Sequence, residues 1–201
     1  MSQIVIVDYG LGNLRSVSKA LEKVGGNVSI TGDLEAIRAA DGIILPGVGA
    51  FHEGMARLSD LKSALFEAQG QVPVLGICLG MQMLMEFSEE HGLSAGLGLI
   101  PGTVRRFEKT PGFKIPHMGW NQVALSHHDD PLYTNIPDGS FFYFVHSYWA
   151  DTPEQYRLTS TEYINPFASS IRNGTVWGTQ FHPEKSGEAG LQILRNYIGM
   201  L

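Results

Sequence analysis

The first candidate for chemistry is Cys78, the only cysteine in the chain. It lies in Gly76-Ile77-Cys78-Leu79-Gly80, between the apolar run VPVLGI and the helical pattern MQMLMEF. A glycine two residues either side of a nucleophile is typical of a strained strand-to-helix turn, where a Cβ would meet neighbouring backbone. The helix start favours the reactive thiolate, and the Leu79 N–H would face a developing oxyanion. Free cysteines are often merely buried, so a nucleophile is predicted only if a base accompanies it.

His182 is the candidate base. It ends an apolar strand pattern in Gln180-Phe181-His182-Pro183-Glu184. In an extended segment, residues i and i+2 project to the same side, so the Glu184 carboxylate can orient the imidazole and stabilise its protonated form. Cysteine, histidine and an acid together would form an activated thiol. Taken alone, His-Pro-Glu favours a plain turn.

A third candidate element is Pro46-Gly47-Val48-Gly49, which follows the strand pattern GIIL. Its glycines would let the Val48 N–H turn towards a developing negative charge and complete an oxyanion hole with Leu79. Phosphate binding is not favoured, because the spacing of a P-loop is absent and Gly10-Leu11-Gly12 lacks the third glycine of a dinucleotide motif. The pattern of Cys and His predicts no metal site, and we expect no cofactor.

The composition limits the partners and the compartment. The net charge is −6 and no run of Lys or Arg forms a basic stripe, so we expect no nucleic-acid partner. A single cysteine and an N-terminus without a signal-peptide pattern predict the reducing cytoplasm. No apolar run approaches the roughly 18 residues of a membrane span, so no membrane is expected. Asn173-Gly174-Thr175 is therefore interpreted as a tight hairpin turn rather than a glycosylation site.

The pattern of elements changes along the chain. Short β-branched runs alternate with helical patterns up to MQMLMEFSEE, which predicts βαβ units on a parallel sheet. From about Leu99 onwards, strand patterns follow one another between Pro, Gly and Asp turns, and GEAGLQILRNYIGM predicts a final helix. The expected fold is α/β, with a mixed, largely parallel central sheet flanked by helices and an antiparallel β-rich second half. Without a linker or repeat, 1–201 is predicted to be a single domain.

The motifs PGVGAF, GICLGMQ and FHPE, in this order, resemble class I glutamine amidotransferases over essentially the whole chain. The resemblance implies that fold and a triad of Cys78 as nucleophile, His182 as general base and then acid, and Glu184 as the orienting residue. The implied reaction is attack of the thiolate on the side-chain amide of L-glutamine. Ammonia leaves, and the glutamyl thioester is then hydrolysed to glutamate.

Further stretches resemble the glutaminase subunits of imidazole glycerol phosphate synthases, enzymes of histidine biosynthesis: DYGLGNLRSV, PHMGWN, FVHSY and HPEKS. This resemblance implies a heterodimer in which ammonia passes to a separate (β/α)8 cyclase subunit. It implies that glutamine contacts Gly49, Gln82, Glu90, Ser147 and Tyr148. Ser147 stands where many members have Thr, which keeps a hydroxyl. The resemblance also implies that the cyclase faces Asn13, Trp120, Tyr143 and Lys185. Surface or core roles remain open for each of these residues.

Three other functions remain open at this point. The chain could be the glutaminase of another synthase, a stand-alone cysteine hydrolase of γ-glutamyl peptides, or a degenerate regulatory subunit. The presence of all three triad residue types argues against degeneracy. Dependence on a partner separates the other two, because an ammonia-coupled subunit should be slow alone. We expect such restraint if the PGVG segment rests with its N–H turned away.

Overall fold

The computed structural model describes residues 2–201. The first half builds the parallel part of the sheet, with helices between its strands. The strands are β1 (Gln3–Val7), β2 (Asn27–Thr31), β3 (Gly42–Leu45) and β4 (Val74–Ile77). The helices are α1 (Leu14–Lys23), α2 (Leu34–Arg38), α3 (Phe51–Arg57), α4 (Lys62–Ala68) and α5 (Leu79–Met83). Strands β1, β3 and β4 are short apolar runs, and β3 and β4 are buried throughout, as expected for a sheet covered on both faces. Strand β2, at the end of the strand order, is more polar and partly exposed.

The second half contributes mostly antiparallel strands. They are β5 (Met85–Ser88), β6 (Ser94–Ala95), β7 (Ile100–Arg106), β8 (His117–Leu125), β9 (Ser140–His146), β10 (Tyr148–Asp151), β11 (Arg157–Glu162), β12 (Pro166–Asn173) and β13 (Val176–Thr179). The chain closes with α6 (Gly187–Ile198). The predicted hairpin turn is confirmed, because Asn173 pairs with Val176 across a turn in which Gly174 has φ 59°.

One connected sheet of 13 strands joins the two halves, in the order β2-β1-β3-β4-β13-β12-β10-β7-β5-β6 with β11, β8 and β9 branching from β12. Pairing is parallel from β2 to β13 and antiparallel from β13 to β7. The predicted mixed α/β fold is confirmed. Each helix in residues 2–201 is too short or too polar to cross a membrane.

Alternate residues of the parallel strands pack on opposite faces of the sheet, as the strand period requires. On one face, Val5 and Leu45 join the apolar residues of α2 to α5. On the other face, Ile4 and Ile44 join those of α1 and α6. The helices therefore hold both faces of the central strands in place, and with them the loops at the strand ends.

The helix predicted over MQMLMEFSEE is wrong beyond Met83. The α-helix ends there, and Met85–Ser88 forms β5, which pairs in parallel with β7 and antiparallel with β6. Met85 and Ser88 are buried while Glu86 and Phe87 are exposed. Pairing to two strands outweighs the helical pattern of these residues, because strand formation is decided largely by neighbouring strands. The predicted core role of the methionines is confirmed, since Met81, Met83 and Met85 are fully buried.

Candidate active site

The carboxyl ends of three neighbouring parallel strands build the site. Strand β4 lies between β3 and β13, with Gly76 opposite Leu45 and Ile77 opposite Thr179. Cys78 directly follows β4, the PGVG segment follows β3, and His182 follows β13. Crevices at the carboxyl ends of parallel strands are the usual binding places in such sheets. The topology thus brings together three motifs that are far apart in the sequence.

Cys78 has the geometry of a nucleophile elbow. Its backbone has φ 54° and ψ −107°, a conformation that residues other than glycine rarely adopt. Helix α5 begins at the next residue. A Cβ on Gly80 would lie 1.8 Å from the Leu45 carbonyl oxygen, and one on Gly76 would lie 2.8 Å from the Gly80 carbonyl oxygen. Both flanking glycines are therefore required by the close approach of backbone, as predicted.

His182 and Glu184 form a buried pair. The His182 Nδ1 atom lies 2.8 Å from Glu184 Oε1, and the two side chains are only 2% and 1% exposed. Burial alone would lower the pKa of His182, but hydrogen bonding and charge from Cys78 and Glu184 outweigh it and raise that pKa to about 9. The other ring nitrogen, Nε2, is buried without a regular hydrogen bond among the described residues. The imidazole is thus set up to carry a proton beside the Cys78 sulfur.

Gln180 is a neighbour of the thiol that sequence reasoning missed. Its Nε2 atom lies 3.7 Å from Cys78 Sγ, and its Oε1 atom accepts a hydrogen bond of 3.1 Å from Gln82 Nε2. The thiol itself is 3.9 Å from the Val145 carbonyl oxygen. A fully buried glutamine at a strand end carries no periodic signal. The one clue in the sequence is its position two residues before His182.

A pocket of about 350 Å³ opens over Cys78, within the size range of small-molecule sites. It brings together both predicted oxyanion residues and all five residues expected to contact glutamine. Pro116, Val145 and His146 also line it and were not predicted. The lining residues from the predicted set are Val48, Gly49, Leu79, Gln82, Glu90, Ser147 and Tyr148.

The predicted oxyanion hole is not assembled in this conformation. The Leu79 N–H donates to the Gly47 carbonyl oxygen at 3.3 Å, so that carbonyl occupies the position expected for an oxyanion. In a trans peptide the N–H points opposite to the C=O, so the Val48 N–H is turned away from Leu79. The sequence left the resting orientation of this segment open, and in this structure the Val48 N–H is turned away from the site.

Anchors hold both ends of the PGVG segment. The Tyr9 hydroxyl donates to the Pro46 carbonyl oxygen at 2.6 Å, and the Phe51 N–H donates to Glu90 Oε2 at 2.6 Å. Burial, and secondarily the charge of Cys78, raises the pKa of the Tyr9 hydroxyl, which therefore remains a donor. Between the anchors, Val48 and Gly49 are exposed. The peptide between Gly47 and Val48 thus lies in the least constrained part of the segment.

The residues expected to face a partner lie around the same end of the sheet. The rings of Trp120 and Tyr143 pack edge to face at 6.2 Å between centroids. Lys185 is exposed in the turn after His182, and Asn13 is exposed at the start of α1. A Cβ on Gly12 would lie 3.5 Å from Pro46 Cβ, so the Asn13 loop adjoins the PGVG segment.

Comparisons with known proteins agree with this arrangement. The family model described as glutamine amidotransferase class-I matches residues 5–200. The imidazole glycerol phosphate synthase subunit HisH of Methanosarcina acetivorans is 56% identical over 203 residues, which cover 100% of both chains. The HisH subunit of Listeria monocytogenes serotype 4a is 48% identical, covering 96% of this chain and 94% of the relative.

Solved structures show the same fold at low sequence identity. A putative GMP synthase subunit from Thermoplasma acidophilum has a TM-score of 0.75 at 21% identity, covering 100% of this chain and 94% of that one. PurLQS from Thermotoga maritima has a TM-score of 0.74 at 20% identity and covers 99% of each chain. At these identities the likeness concerns the fold alone.

Proposed function

Because the chain belongs to the class I glutamine amidotransferase family, we propose that it is the glutaminase subunit of an imidazole glycerol phosphate synthase. The observation that carries the proposal is the strained, glycine-flanked Cys78 beside the buried His182–Glu184 pair. Relatives named HisH match over the whole chain and support the choice of synthase. The single connected sheet supports the proposal that 1–201 is one glutamine amidotransferase domain.

The proposed reaction starts with attack of the Cys78 thiolate on the side-chain carbonyl carbon of L-glutamine. The His182 imidazolium donates its proton to the departing nitrogen, so ammonia leaves and a glutamyl thioester remains. His182, now neutral, takes a proton from water as that water attacks the thioester. Glutamate leaves as the Cys78 thiolate is expelled, and the starting pair of thiolate and imidazolium is restored. Glu184 keeps the imidazole oriented and stabilises its charged form throughout.

We propose that a rotation of the Gly47–Val48 peptide controls this reaction. Oxyanion stabilisation needs N–H groups aimed at the developing charge, and in the resting conformation a carbonyl takes that place. Rotation would remove the carbonyl from Leu79 and aim the Val48 N–H into the hole. The anchors at Pro46 and Phe51 would confine the movement to the segment between them. A partner that favours the rotated state would switch on glutamine hydrolysis.

An apolar face beside the site supports a protein partner there. Met118, Trp120 and Phe141 are 62%, 55% and 53% exposed. They share one face of the β8–β9 pair, because Trp120 lies opposite Tyr143 and Gln122 opposite Phe141. Exposed large apolar patches mark interaction sites. We propose that the (β/α)8 cyclase subunit covers this face and receives ammonia there, close to the Val145 carbonyl that contacts the thiol.

The decisive experiment measures glutamate release from L-glutamine by the purified chain, alone and with a cyclase subunit plus its ribulosyl substrate. We expect slow turnover alone and strong stimulation by the cyclase. Trp120→Ala should weaken the stimulation, because it removes an exposed aromatic from the proposed interface. Phe66→Ala, which removes a 47% exposed aromatic from α4, is the matched control and should leave stimulation intact.

The outcomes separate the parts of the proposal. Brisk turnover without any response to the cyclase would contradict the synthase assignment and favour another acceptor or a stand-alone hydrolase. Equal stimulation of Trp120→Ala and the wild type would contradict the proposed interface alone. Glutamate release by Cys78→Ala at the wild-type rate would contradict the nucleophile.

A further inference from the structure

A chain of hydrogen bonds outside the triad joins the outer strand β8 to the pocket. Asn121 Nδ2 lies 3.2 Å from His117 Nε2, and His117 Nδ1 lies 2.9 Å from His146 Nε2. At the end of the chain, His146 Nδ1 lies 2.8 Å from the Tyr148 carbonyl oxygen. Both histidines are buried, at 3% and 5% exposure, and His146 lines the pocket.

The chemistry of its two ends fixes the direction of every bond in this chain. The Tyr148 carbonyl can only accept, so His146 carries its proton on Nδ1 and accepts at Nε2. His117 must then donate from Nδ1 and accept at Nε2. Asn121 can supply that last proton, because its Oδ1 accepts from the Gln122 N–H at 2.8 Å and its Nδ2 therefore faces the ring. Both imidazoles are thus neutral and of one tautomer.

The surroundings keep these rings uncharged. The His117 ring stacks on Tyr163 and Phe144, with centroids 4.1 and 4.9 Å away. Burial lowers the pKa of His117 to about 4, and burial together with nearby histidines lowers the pKa of His146 to about 3. A proton added to either ring would place two donors face to face, so the neutral arrangement is the stable one.

The Tyr148 carbonyl is where this chain meets the nucleophile's surroundings. It also accepts a hydrogen bond of 3.1 Å from Gln82 Nε2, which donates to Gln180 Oε1 as well. Gln180 in turn contacts the Cys78 sulfur. The backbone at Ser147 and Tyr148, part of the pocket wall, is therefore held in place from both sides.

We propose that His146, oriented by His117, is a positioning residue that fixes the Ser147–Tyr148 backbone against Gln82 and thereby shapes the wall that binds glutamine. This inference rests on the proposed glutaminase function. Without His117, His146 Nε2 would be a buried acceptor with no donor, and the ring could change its tautomer and release the Tyr148 carbonyl. Glutamine binding would weaken, while the thiol and the His182–Glu184 pair would stay as they are.

The test compares His117→Phe, which keeps an aromatic ring in the stack, with Tyr163→Phe as the control. Tyr163→Phe removes a hydroxyl from the same aromatic cluster, where it bonds the Lys114 carbonyl, and leaves the hydrogen-bond chain intact. With the cyclase and its ligand present, His117→Phe should raise the KM for glutamine about tenfold, the typical effect of one buried hydrogen bond, with kcat within about twofold. Tyr163→Phe should change neither.

Two readouts do not depend on turnover. In ¹⁵N spectra, wild-type His117 and His146 should be neutral with the proton on Nδ1, and His117→Phe should shift the His146 signals. Alkylation of Cys78 by iodoacetamide should proceed equally fast in the wild type and in His117→Phe. If His117→Phe does not fold, Asn121→Ala removes the donor at the far end, and it should shift the His117 signals and raise KM in the same sense.

An unchanged KM together with unchanged His146 signals in His117→Phe would overturn the proposal. So would a fall in kcat at constant KM, which would indicate a role in chemistry rather than in binding. Failure of the wild type to release glutamate with the cyclase would instead count against the proposed function. The ¹⁵N spectra would still decide whether the hydrogen-bond chain exists as described.

Discussion

The backbone strain at Cys78 can be measured by substitution. At φ 54° and ψ −107°, a residue with a Cβ costs about 1–3 kcal/mol, whereas glycine adopts this conformation freely. Glycine also makes the unfolded chain more flexible, which offsets roughly 0.5–1 kcal/mol of the gain. We therefore expect Cys78→Gly to be more stable than Cys78→Ala by about 1 kcal/mol in urea unfolding.

Both Cys78 variants should fold and neither should release glutamate. Each lacks the sulfur, so activity does not distinguish them. Their stabilities differ by the cost of the backbone conformation, partly offset by the one buried methyl group of alanine. An alanine variant as stable as the glycine variant would mean that the elbow is unstrained in solution.

Glu184 should control the proton affinity of His182. Burial alone would lower the pKa of His182, and Cys78 and Glu184 together raise it to about 9. We predict that Glu184→Gln lowers this pKa, measured by NMR titration of the imidazole, and reduces partner-stimulated turnover by about tenfold or more. Glu188→Gln, which removes a carboxylate from the exposed Glu188–Arg195 pair on α6, should change neither quantity. An unaltered His182 titration in Glu184→Gln would contradict the pairing.

At the scale of elements, local patterns predicted the βαβ half well, because β1, β3 and β4 are apolar runs that are largely buried on both faces and the helices between the strands bury apolar side chains. Met85–Ser88 is the segment whose local pattern predicted the wrong element. Its residues continue a helical pattern, but pairing with β6 and β7 decides its conformation, and that pairing is non-local. The orientation of the Gly47–Val48 peptide is likewise invisible in the sequence, because it depends on the Leu79 N–H that its carbonyl meets.

The PGVG segment offers a direct test of the proposed rotation. Val48→Pro removes the N–H that would enter the oxyanion hole and fixes φ at this residue. We expect this variant to fold and to bind glutamine but to lose most of its cyclase stimulation. Oxyanion donors typically contribute about 10²–10³ in kcat.

Val48→Ala, which keeps the N–H, is the matched control and should retain the stimulation. Full stimulation of Val48→Pro would show that this peptide does not supply the second oxyanion donor.

Across the whole molecule, strand order decides which residues meet. Cys78 and Gln180 lie 102 positions apart and touch because β13 inserts beside β4. The residue types of the triad could be predicted from local motifs. Gln180 and the pair of His117 and His146 could not, because their significance depends on hydrogen bonds between distant strands and not on any periodicity.

The histidines should also shape the stability of the whole fold against pH. The folded pKa values of His117 and His146, about 4 and about 3, lie below the ordinary value of 6.5. Below pH 6.5 these two histidines bind protons in the unfolded chain but stay neutral in the folded chain. The free energy of unfolding should therefore fall by up to roughly 1.4 kcal/mol per pH unit for each of these histidines as the pH falls towards 4.

His182 acts in the opposite sense. Its folded pKa of about 9 lies above 6.5, so its contribution is fully present below pH 6.5 and is lost as the pH rises towards 9. Urea unfolding between pH 4.5 and 9.5 should show a maximum near pH 6.5. His117→Phe should make the stability depend less steeply on pH below the maximum, because it removes one histidine that stays neutral in the folded protein. Cys78→Ala should make the dependence less steep above the maximum, because Cys78 helps to raise the His182 pKa. An acid slope that is identical in His117→Phe and the wild type would mean that His117 is already protonated in the folded protein. The hydrogen bond that its Nε2 accepts from Asn121 forbids this.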